Sequence, residues 1–136
     1  MSTTAQKFRA AVESRDLAAL DALTTEDLKF YSPAAFEPFE GREAVRFILA
    51  ILADAFEDFR YVGDFTGTIT DPGSDAADIL VFRTRIGDTE IHGIDLLQTN
   101  AEGLIDTFTV MIRPLSAAQA VIDTVTAGLS AAPDHA

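Results

Sequence analysis

Residues 84–114 contain three runs of alternating apolar and polar side chains separated by two short turns, and this pattern constrains the fold more than any other feature. Gly87-Asp88 is a two-residue loop of the type that joins β-hairpin strands. Asn100–Gly103 is a four-residue loop with turn-forming residues at both ends. The intervening runs are rich in Ile, Leu, Thr, Val and Phe, which suit a pleated strand. The segment therefore predicts three antiparallel strands joined by tight turns.

These turns fix a strand register, which determines the side chains that share a face of the sheet. The first turn places Leu80 opposite Asp95, and the second places Asp95 opposite Phe108. One face then carries the apolar side chains of Leu80, Phe82, Ile91, Leu97, Phe108, Val110 and Ile112. A carboxylate among apolar neighbours is unfavourable unless it is paired or has a chemical role. Asp95, in the middle of this face, is therefore the residue that most needs an explanation.

The opposite face of these strands combines apolar and basic side chains. Its apolar residues are Ile79, Val81, Ile94, Leu96 and Met111, and its basic residues are Arg83, Arg85, His92 and Arg113. Soluble monomers rarely leave an apolar block of this size in water. We therefore expect a homodimer that packs sheet face to sheet face, with the arginines at a polar rim. Arg113 is expected to end the last strand and to pair with a surface carboxylate.

The remaining elements can be placed from helical spacing and turn residues. In order they are a helix from Thr3 or Thr4, a short helix over Leu17–Leu23, a strand over Leu28–Tyr31, a loop over Ala34–Glu40, a helix from Gly41 to about Asp58, a strand over Tyr61–Thr70, a turn over Asp71–Asp75, and a last helix from Ser116 that stops at Gly128. We predict one domain over residues 1–128 and a frayed tail over residues 129–136. The order indicates an α+β fold in which a curved antiparallel sheet wraps around helices, forming a cone with an internal pocket.

Composition excludes several classes of function. The net charge of −12 argues against nucleic acid or an anionic membrane as a partner, because phosphate binding needs clusters of Lys and Arg. The chain has no Cys and only two His, which excludes thiolate sites and a zinc site built from several histidines. We expect no metal and no cofactor. The N-terminus lacks the apolar run of a signal peptide, and the apolar segment Phe47–Ala53 is too short to span a bilayer. We therefore expect a soluble, cytoplasmic protein.

Six short segments occur in an order and spacing typical of a known superfamily. They are Arg15-Asp16-Leu17, Ser32-Pro33, Gly41-Arg42-Glu43, Gly93-Ile94-Asp95, Glu102-Gly103-Leu104-Ile105 and Val110-Met111-Ile112-Arg113-Pro114-Leu115. From about residue 5 to residue 125 the chain resembles the nuclear-transport-factor-2-like superfamily, in particular its SnoaL-like and ketosteroid-isomerase-like branch. The resemblance implies a cone with a pocket for a small molecule, and dimers are common in the superfamily. The same fold supports isomerases, cyclases, hydrolases, dehydratases and non-catalytic binders.

The resemblance also assigns possible roles to individual residues. Asp95 matches the aspartic acid that ketosteroid isomerases keep protonated in an apolar site so that it can stabilise an oxyanion. The general base of those enzymes falls at Ser32, and their oxyanion tyrosine falls near Phe8. The Asp-Arg-Asp set of limonene epoxide hydrolases falls at Asp95, Gly93 and Phe108. SnoaL-like polyketide cyclases use a pocket aspartate as acid and base without a cofactor, a role that Asp95 can meet.

Two interpretations of Asp95 remain open on the sequence. It is either a buried acid with a raised pKa that exchanges a proton with a bound carbonyl compound, or a carboxylate that hydrogen bonds to Tyr31, Tyr61 or a backbone group and maintains the fold. The first predicts a cofactor-free isomerase or cyclase acting on a small hydrophobic carbonyl compound. The alternative is a non-catalytic ligand-binding domain or a dimeric structural or regulatory domain.

We expect a cavity between the sheet and the first and long helices, with the loop Ala34–Glu40 covering its mouth. Asp95 is the predicted catalytic residue. The predicted ligand contacts are Phe8, Val12, Tyr31, Ser32, Leu49, Leu52, Tyr61, Leu80, Phe82, Phe108 and Val110.

Overall fold

Six strands form one curved, unclosed sheet that packs against the helices. The structure is a computed structural model that describes residues 1–70 and 75–131; residues 71–74 of the predicted turn Asp71–Asp75 and residues 132–136 of the predicted tail, with His135, lie outside the described residues. The elements are α1 (Thr3–Glu13), a 3₁₀ helix (Leu17–Ala22), β1 (Thr24–Tyr31), β2 (Phe39–Glu40), α2 (Arg42–Ala55), β3 (Glu57–Ile69), β4 (Asp75–Ile86), β5 (Thr89–Thr99), β6 (Ile105–Arg113) and α3 (Leu115–Ala131). The predicted α+β class is confirmed.

The strand order is β2-β1-β6-β5-β4-β3. Four of the neighbouring pairs are antiparallel, and β1 and β6 pair in parallel. The prediction of an antiparallel sheet is therefore wrong for this one pair. Hairpin turns determine the direction of strands that follow one another closely, whereas β1 and β6 are joined only through the rest of the domain.

The register between β4 and β5 is confirmed, but the register between β5 and β6 is shifted. Leu80 pairs with Asp95 as predicted. Asp95 pairs with Val110 rather than with Phe108: Thr99 pairs with Ile105 instead of Leu104 at the turn, which shifts the register by one residue, and a bulge at Asp106 adds the second. The shift along β6 amounts to two residues, so each side chain keeps its predicted face. The face with Asp95 points to the helices and is called the inner face; the opposite face is the outer face.

Two helix ends differ from the predictions for identifiable reasons. Helix α2 ends at Ala55 rather than near Asp58, because β3 already begins at Glu57 and Asp58 has a left-handed backbone with φ of 55°. Helix α3 continues through Gly128 to Ala131, so the predicted stop and the predicted start of the tail are wrong. Gly128 serves packing instead, since a Cβ there would lie 2.7 Å from Cδ1 of Ile51 on α2.

The core occupies the space between the inner face and the three α-helices. Its fully buried side chains include Phe8 of α1, Ile48 of α2, and Phe30 and Phe82 of the sheet. Helix α3 adds Val121 on the same side. Among residues 1–70 and 75–131, no helix is long and apolar enough to cross a lipid bilayer.

Candidate functional site

A cavity of about 220 Å³ lies between the inner face of the sheet and helices α1, α2 and α3. Ten of the residues predicted for the site line it: Phe8, Val12, Ser32, Leu49, Leu52, Tyr61, Phe82, Asp95, Phe108 and Val110. Pro33, Ala34 and Phe39, between the end of β1 and the start of β2, also contribute to the wall. Only part of the loop Ala34–Glu40, which was predicted to cover the mouth of the cavity, borders it, because Phe36 at the centre of the loop points into solvent.

Two predicted contacts lie elsewhere. Tyr31 pairs with Thr109 of β6, which belongs to the outer face, whereas its neighbour Phe30 is buried on the inner face and lines the cavity. Because side chains alternate along a strand, Phe30 and not Tyr31 is the β1 aromatic at the site. Leu80 shares the inner face with Asp95 but is completely buried in the core and does not reach the cavity.

Stacked and edge-on aromatic rings form the wall beside Asp95. The Phe59 ring lies 5.3 Å from the Phe82 ring and 5.0 Å from the Tyr61 ring, measured between centroids. The Phe82 ring occupies the space over Gly93 of the adjacent strand, and an added Cβ at Gly93 would collide with it. The resemblance to epoxide hydrolases assigns an arginine to the position of Gly93. The Phe82 ring leaves no room for such a side chain there.

Asp95 is 6% exposed and accepts a 2.7 Å hydrogen bond at Oδ2 from the Tyr61 hydroxyl. Burial raises the pKa of Asp95 to about 7, although the hydrogen bond from Tyr61 opposes this rise. The predicted burial of Asp95 is therefore confirmed, and this burial shifts its pKa in the expected direction. The hydrogen bond to a tyrosine that the second interpretation predicted is also present.

Tyr61 contacts Asp95 through its hydroxyl and the Arg9 guanidinium through the face of its ring. Burial raises the pKa of Tyr61 well above its ordinary value, and the charge of Asp95 raises it further. The hydroxyl therefore keeps its proton and acts as a donor. The Arg9 guanidinium lies 5.7 Å from the centre of the Tyr61 ring and pairs with Glu13 at 3.4 Å. Glu13 also lines the cavity, where it places an exposed carboxylate.

Sequence reasoning missed several residues of the cavity wall. Glu13 follows Val12 and lies one helical turn after Arg9, so its position at the cavity could have been found from the face that α1 presents. Helix α3 contributes Val121, Ile122, Val125, Thr126 and Leu129. Its apolar stripe was visible in the sequence, but nothing in the stripe indicates which side of the sheet the helix covers.

The arrangement provides one group that can exchange protons at neutral pH. The ionised carboxylate of Asp95 can accept a proton from a bound molecule, and the neutral acid can donate one, because a pKa near 7 populates both forms. Ser32 lines the cavity but has no carboxylate, and its Oγ accepts a 3.2 Å hydrogen bond from the Ala34 backbone amide. Ser32 therefore shapes a turn at the cavity wall and does not supply a second acid or base.

Comparison with known proteins identifies relatives of this fold. A family model described as the SnoaL-like domain matches residues 5–128. A crystal structure of a steroid delta-isomerase from Pseudomonas aeruginosa is similar over 93% of this chain and 89% of that chain, with 31% sequence identity and a TM-score of 0.83.

Two further solved structures are similar in fold. One is an uncharacterised protein with a cystatin-like fold from Silicibacter pomeroyi, with 27% identity over 96% of this chain and 88% of that chain and a TM-score of 0.84. The other is an NTF2-like protein of unknown function from Cytophaga hutchinsonii, with 17% identity over 82% of this chain and 88% of that chain and a TM-score of 0.58. A search of curated proteins found no match.

Proposed function

The chain belongs to the SnoaL-like domain family, and from this premise we propose that it is a cofactor-free acid/base enzyme acting on a small hydrophobic carbonyl compound. The observation that carries the proposal is a carboxyl group with a pKa near 7 at the wall of a mainly apolar cavity. General acid–base catalysis is most effective when the catalytic pKa lies near the working pH. Asp95 meets this requirement.

The proposed reaction moves one proton within the substrate. Ionised Asp95 removes a proton from the carbon next to the carbonyl group, which gives neutral Asp95 and an enolate. Neutral Asp95 then returns the proton at the same or a conjugated carbon, so the carboxylate is regenerated and no other reactant is consumed. Tyr61 positions the carboxyl group through its hydrogen bond to Oδ2 and leaves Oδ1 available to the substrate.

The cavity wall supports a ligand that is apolar except for one polar end. Phe30, Phe59, Phe82 and Phe108 surround the space beside Asp95 with aromatic rings. Such a wall favours a compact cyclic or unsaturated ligand, while a buried carboxyl group favours a carbonyl oxygen or a neighbouring acidic carbon near Asp95. The similar steroid delta-isomerase also fits this class of chemistry.

A non-catalytic binding function is the second candidate, and Ser32 favours it. The resemblance to ketosteroid isomerases assigns the general base to this position, where the chain has only a hydroxyl. With Asp95 as the one buried carboxylate among the described residues that line the cavity, and with Glu13 exposed at its edge, the cavity would then hold a hydrophobic molecule without changing it.

Hydrogen–deuterium exchange of 2-cyclohexenone and 2-decalone in D₂O, followed by proton NMR, separates the two candidates. We expect exchange at the carbon positions activated by the carbonyl to be faster with the protein than with buffer at the same pH. Asp95→Asn should reduce this rate by roughly 10²–10⁴-fold, the usual contribution of a positioned acid or base. Asp88→Asn, a change in the exposed turn between β4 and β5, is the matched control.

Ligand binding is measured in the same samples by saturation-transfer NMR. Binding of either ketone without catalysed exchange would support the non-catalytic function and contradict the enzyme. Exchange that survives in Asp95→Asn would refute the role of Asp95.

We further propose that the protein forms a homodimer through its outer face. The cross-strand pairs Phe65–Ile79, Ile79–Leu96, Val81–Ile94 and Ile94–Met111 make one continuous apolar block. Phe65 is 64% exposed and Met111 is 52% exposed, and α3 packs against the opposite side of the sheet. A second copy of the chain would remove this block from water.

Light scattering tests the dimer. The wild-type protein at tens of micromolar should have the mass of two chains, whereas Ile94→Glu should give a monomer because it places like charges near the two-fold axis. Thr89→Glu, at the hairpin end of the same strand, is the control and should stay dimeric. A monomeric wild-type protein would refute the proposal.

A further inference from the structure

One row of the outer face consists entirely of basic side chains. Arg60 of β3 pairs with Arg83 of β4, Arg83 pairs with His92 of β5, and His92 pairs with Arg113 of β6. Directly opposed residues of an antiparallel sheet have Cβ atoms about 5 Å apart. Like charges at this distance destabilise the sheet, and the chain as a whole carries a net charge of −12. The row is therefore unusual in two respects: like charges lie opposite one another in the sheet, and a basic cluster occurs in an acidic chain.

The neighbouring row shows how this chain neutralises a cation on the same face. Arg85 lies between Glu57 and Glu90 in the ladder and forms ion pairs with Glu57 at 3.3 Å and Asp58 at 2.8 Å. Within residues 1–70 and 75–131, by contrast, Arg60, Arg83 and Arg113 form no ion pair with a carboxylate. The surface carboxylate expected beside Arg113 is absent from this part of the chain.

Arg83 and Arg113 lie on either side of His92 in the strand ladder. Nη1 of Arg113 lies 3.3 Å from Nδ1 of His92, and Arg83 flanks His92 from the other side. Partial burial lowers the pKa of His92, and the positive charges of Arg83 and Arg113 lower it further. Both guanidinium groups are exposed, so an anion can reach all three side chains from solvent.

We propose that Arg83, His92 and Arg113 form a binding site for a doubly charged tetrahedral oxyanion, a phosphate or sulfate group that is free or carried on a small organic molecule. Two guanidinium groups match two negative charges, and guanidinium geometry suits bidentate contact with such oxygens. Arg60 extends the positive charge at one side of the site. A polyanion is excluded by the net charge of −12, which would repel it outside this row. The site is complete within one chain and is independent of the chemistry proposed for the cavity.

The experiment follows the His92 imidazole by NMR in a His135→Gln background, which leaves one histidine in the chain. The protein is titrated with acid in sodium sulfate and in sodium chloride at equal ionic strength, since sulfate stays divalent while an imidazole titrates. Sulfate should raise the pKa of His92 by about one unit, because the anion binds the protonated ring about tenfold more tightly than the neutral ring.

Arg83→Gln and Arg113→Gln should each abolish the sulfate-dependent rise. Both should also raise the pKa of His92 in chloride, because each removes a charge that lowers it. Lys7→Gln removes the same charge from the exposed side of α1 and should keep the full response to sulfate. Equal His92 titrations in sulfate and chloride would overturn the proposal, as would a sulfate effect that survives both arginine substitutions.

Two further comparisons identify the source of the anion. Phenyl phosphate binding more tightly than inorganic phosphate would assign the site to an organic phosphate ester. Equal binding would assign it to the free anion. A His92 pKa that follows protein concentration and ignores sulfate would assign the row to a second copy of the chain and overturn the proposal.

Discussion

Two carboxylates are buried on the inner face of the sheet, and their surroundings differ in a way that separates structure from reactivity. Asp78 is 1% exposed and Asp95 is 6% exposed. They occupy adjacent strands, where Asp78 pairs with Leu97 and Asp95 pairs with Leu80. Burial alone would make the ionised form of both side chains unfavourable, because a charged group loses its hydration in an apolar core.

Asp78 is held by three donors from two other elements. Its Oδ2 accepts a 2.8 Å hydrogen bond from Ser2 Oγ, and its Oδ1 accepts bonds from Thr66 Oγ1 at 2.8 Å and the Ser2 amide at 3.4 Å. Ser2 Oγ also accepts from the Ala5 amide at the start of α1. Asp78 thus links β4 to Ser2, the N-cap residue of α1, and has a structural role.

Asp95 borders the cavity and has a single hydrogen-bond donor among residues 1–70 and 75–131. Tyr61 supplies that donor, and the rest of its surroundings is mainly aromatic and aliphatic. One hydrogen bond does not compensate for lost hydration, which explains why the pKa rises to about 7. Two carboxylates of similar burial thus differ in their donors: Asp78 accepts three hydrogen bonds that attach α1 to the sheet, whereas Asp95 accepts one and borders the cavity.

The largest effect is expected from Asp95→Asn on the pH dependence of stability. Asp95 titrates near pH 4 in the unfolded chain and at about 7 in the folded chain. The unfolded state therefore releases its proton first, and the free energy of unfolding falls by up to about 4 kcal/mol as pH rises between these values. Asparagine stays neutral and can still accept from Tyr61. Relative to wild type, the variant should gain this amount from pH 4 to pH 8.

Urea unfolding at a series of pH values measures this difference. Asp88→Asn, the exposed control, should follow the wild-type curve. Parallel curves for Asp95→Asn and the wild-type protein would mean that Asp95 ionises normally in the folded state, and the distinction from Asp78 would fail.

Asp78→Ala should have the next largest effect, with the opposite sign. The substitution leaves the Thr66 hydroxyl and the capping Ser2 without their shared acceptor, which should destabilise the fold by about 3 kcal/mol. Urea unfolding with Asp88→Ala as control provides the measurement. A loss below about 1 kcal/mol would show that Asp78 does not anchor α1.

The sequence could identify Asp95 but not Asp78, for a physical reason. Asp95 lies between two recognisable turns, and the register that they fix places it among apolar residues. Asp78 lies near the start of β4, where polar residues are common, and its partners Ser2 and Thr66 are distant in sequence. A local pattern contains no information on such contacts.

The same limit separates the predictable parts of the fold from the rest. Strand alternation and tight turns predicted the inner and outer faces, and helical spacing predicted three α-helices. The bulge at Asp106 and the close approach of Gly128 to Ile51 depend on tertiary packing, so the second register and the end of α3 were wrong. The position of α3 over the cavity also depends on packing, because an apolar stripe fits either face of a sheet.

The smallest effect is expected from Tyr61→Phe, which removes the single donor to Asp95 and keeps the ring. The hydrogen bond favours the ionised form of Asp95, so its loss should raise the pKa of Asp95 above the wild-type value. At pH 5, where Asp95 is neutral in the folded protein, the free energy of unfolding should fall by only about 1 kcal/mol.

Carbon-13 NMR of the Asp95 carboxyl group measures the titration. Thr66→Val removes one of the three donors to Asp78 and should leave the titration of Asp95 unchanged. An unchanged or lower pKa in Tyr61→Phe would mean that another group, and not Tyr61, sets the protonation of Asp95.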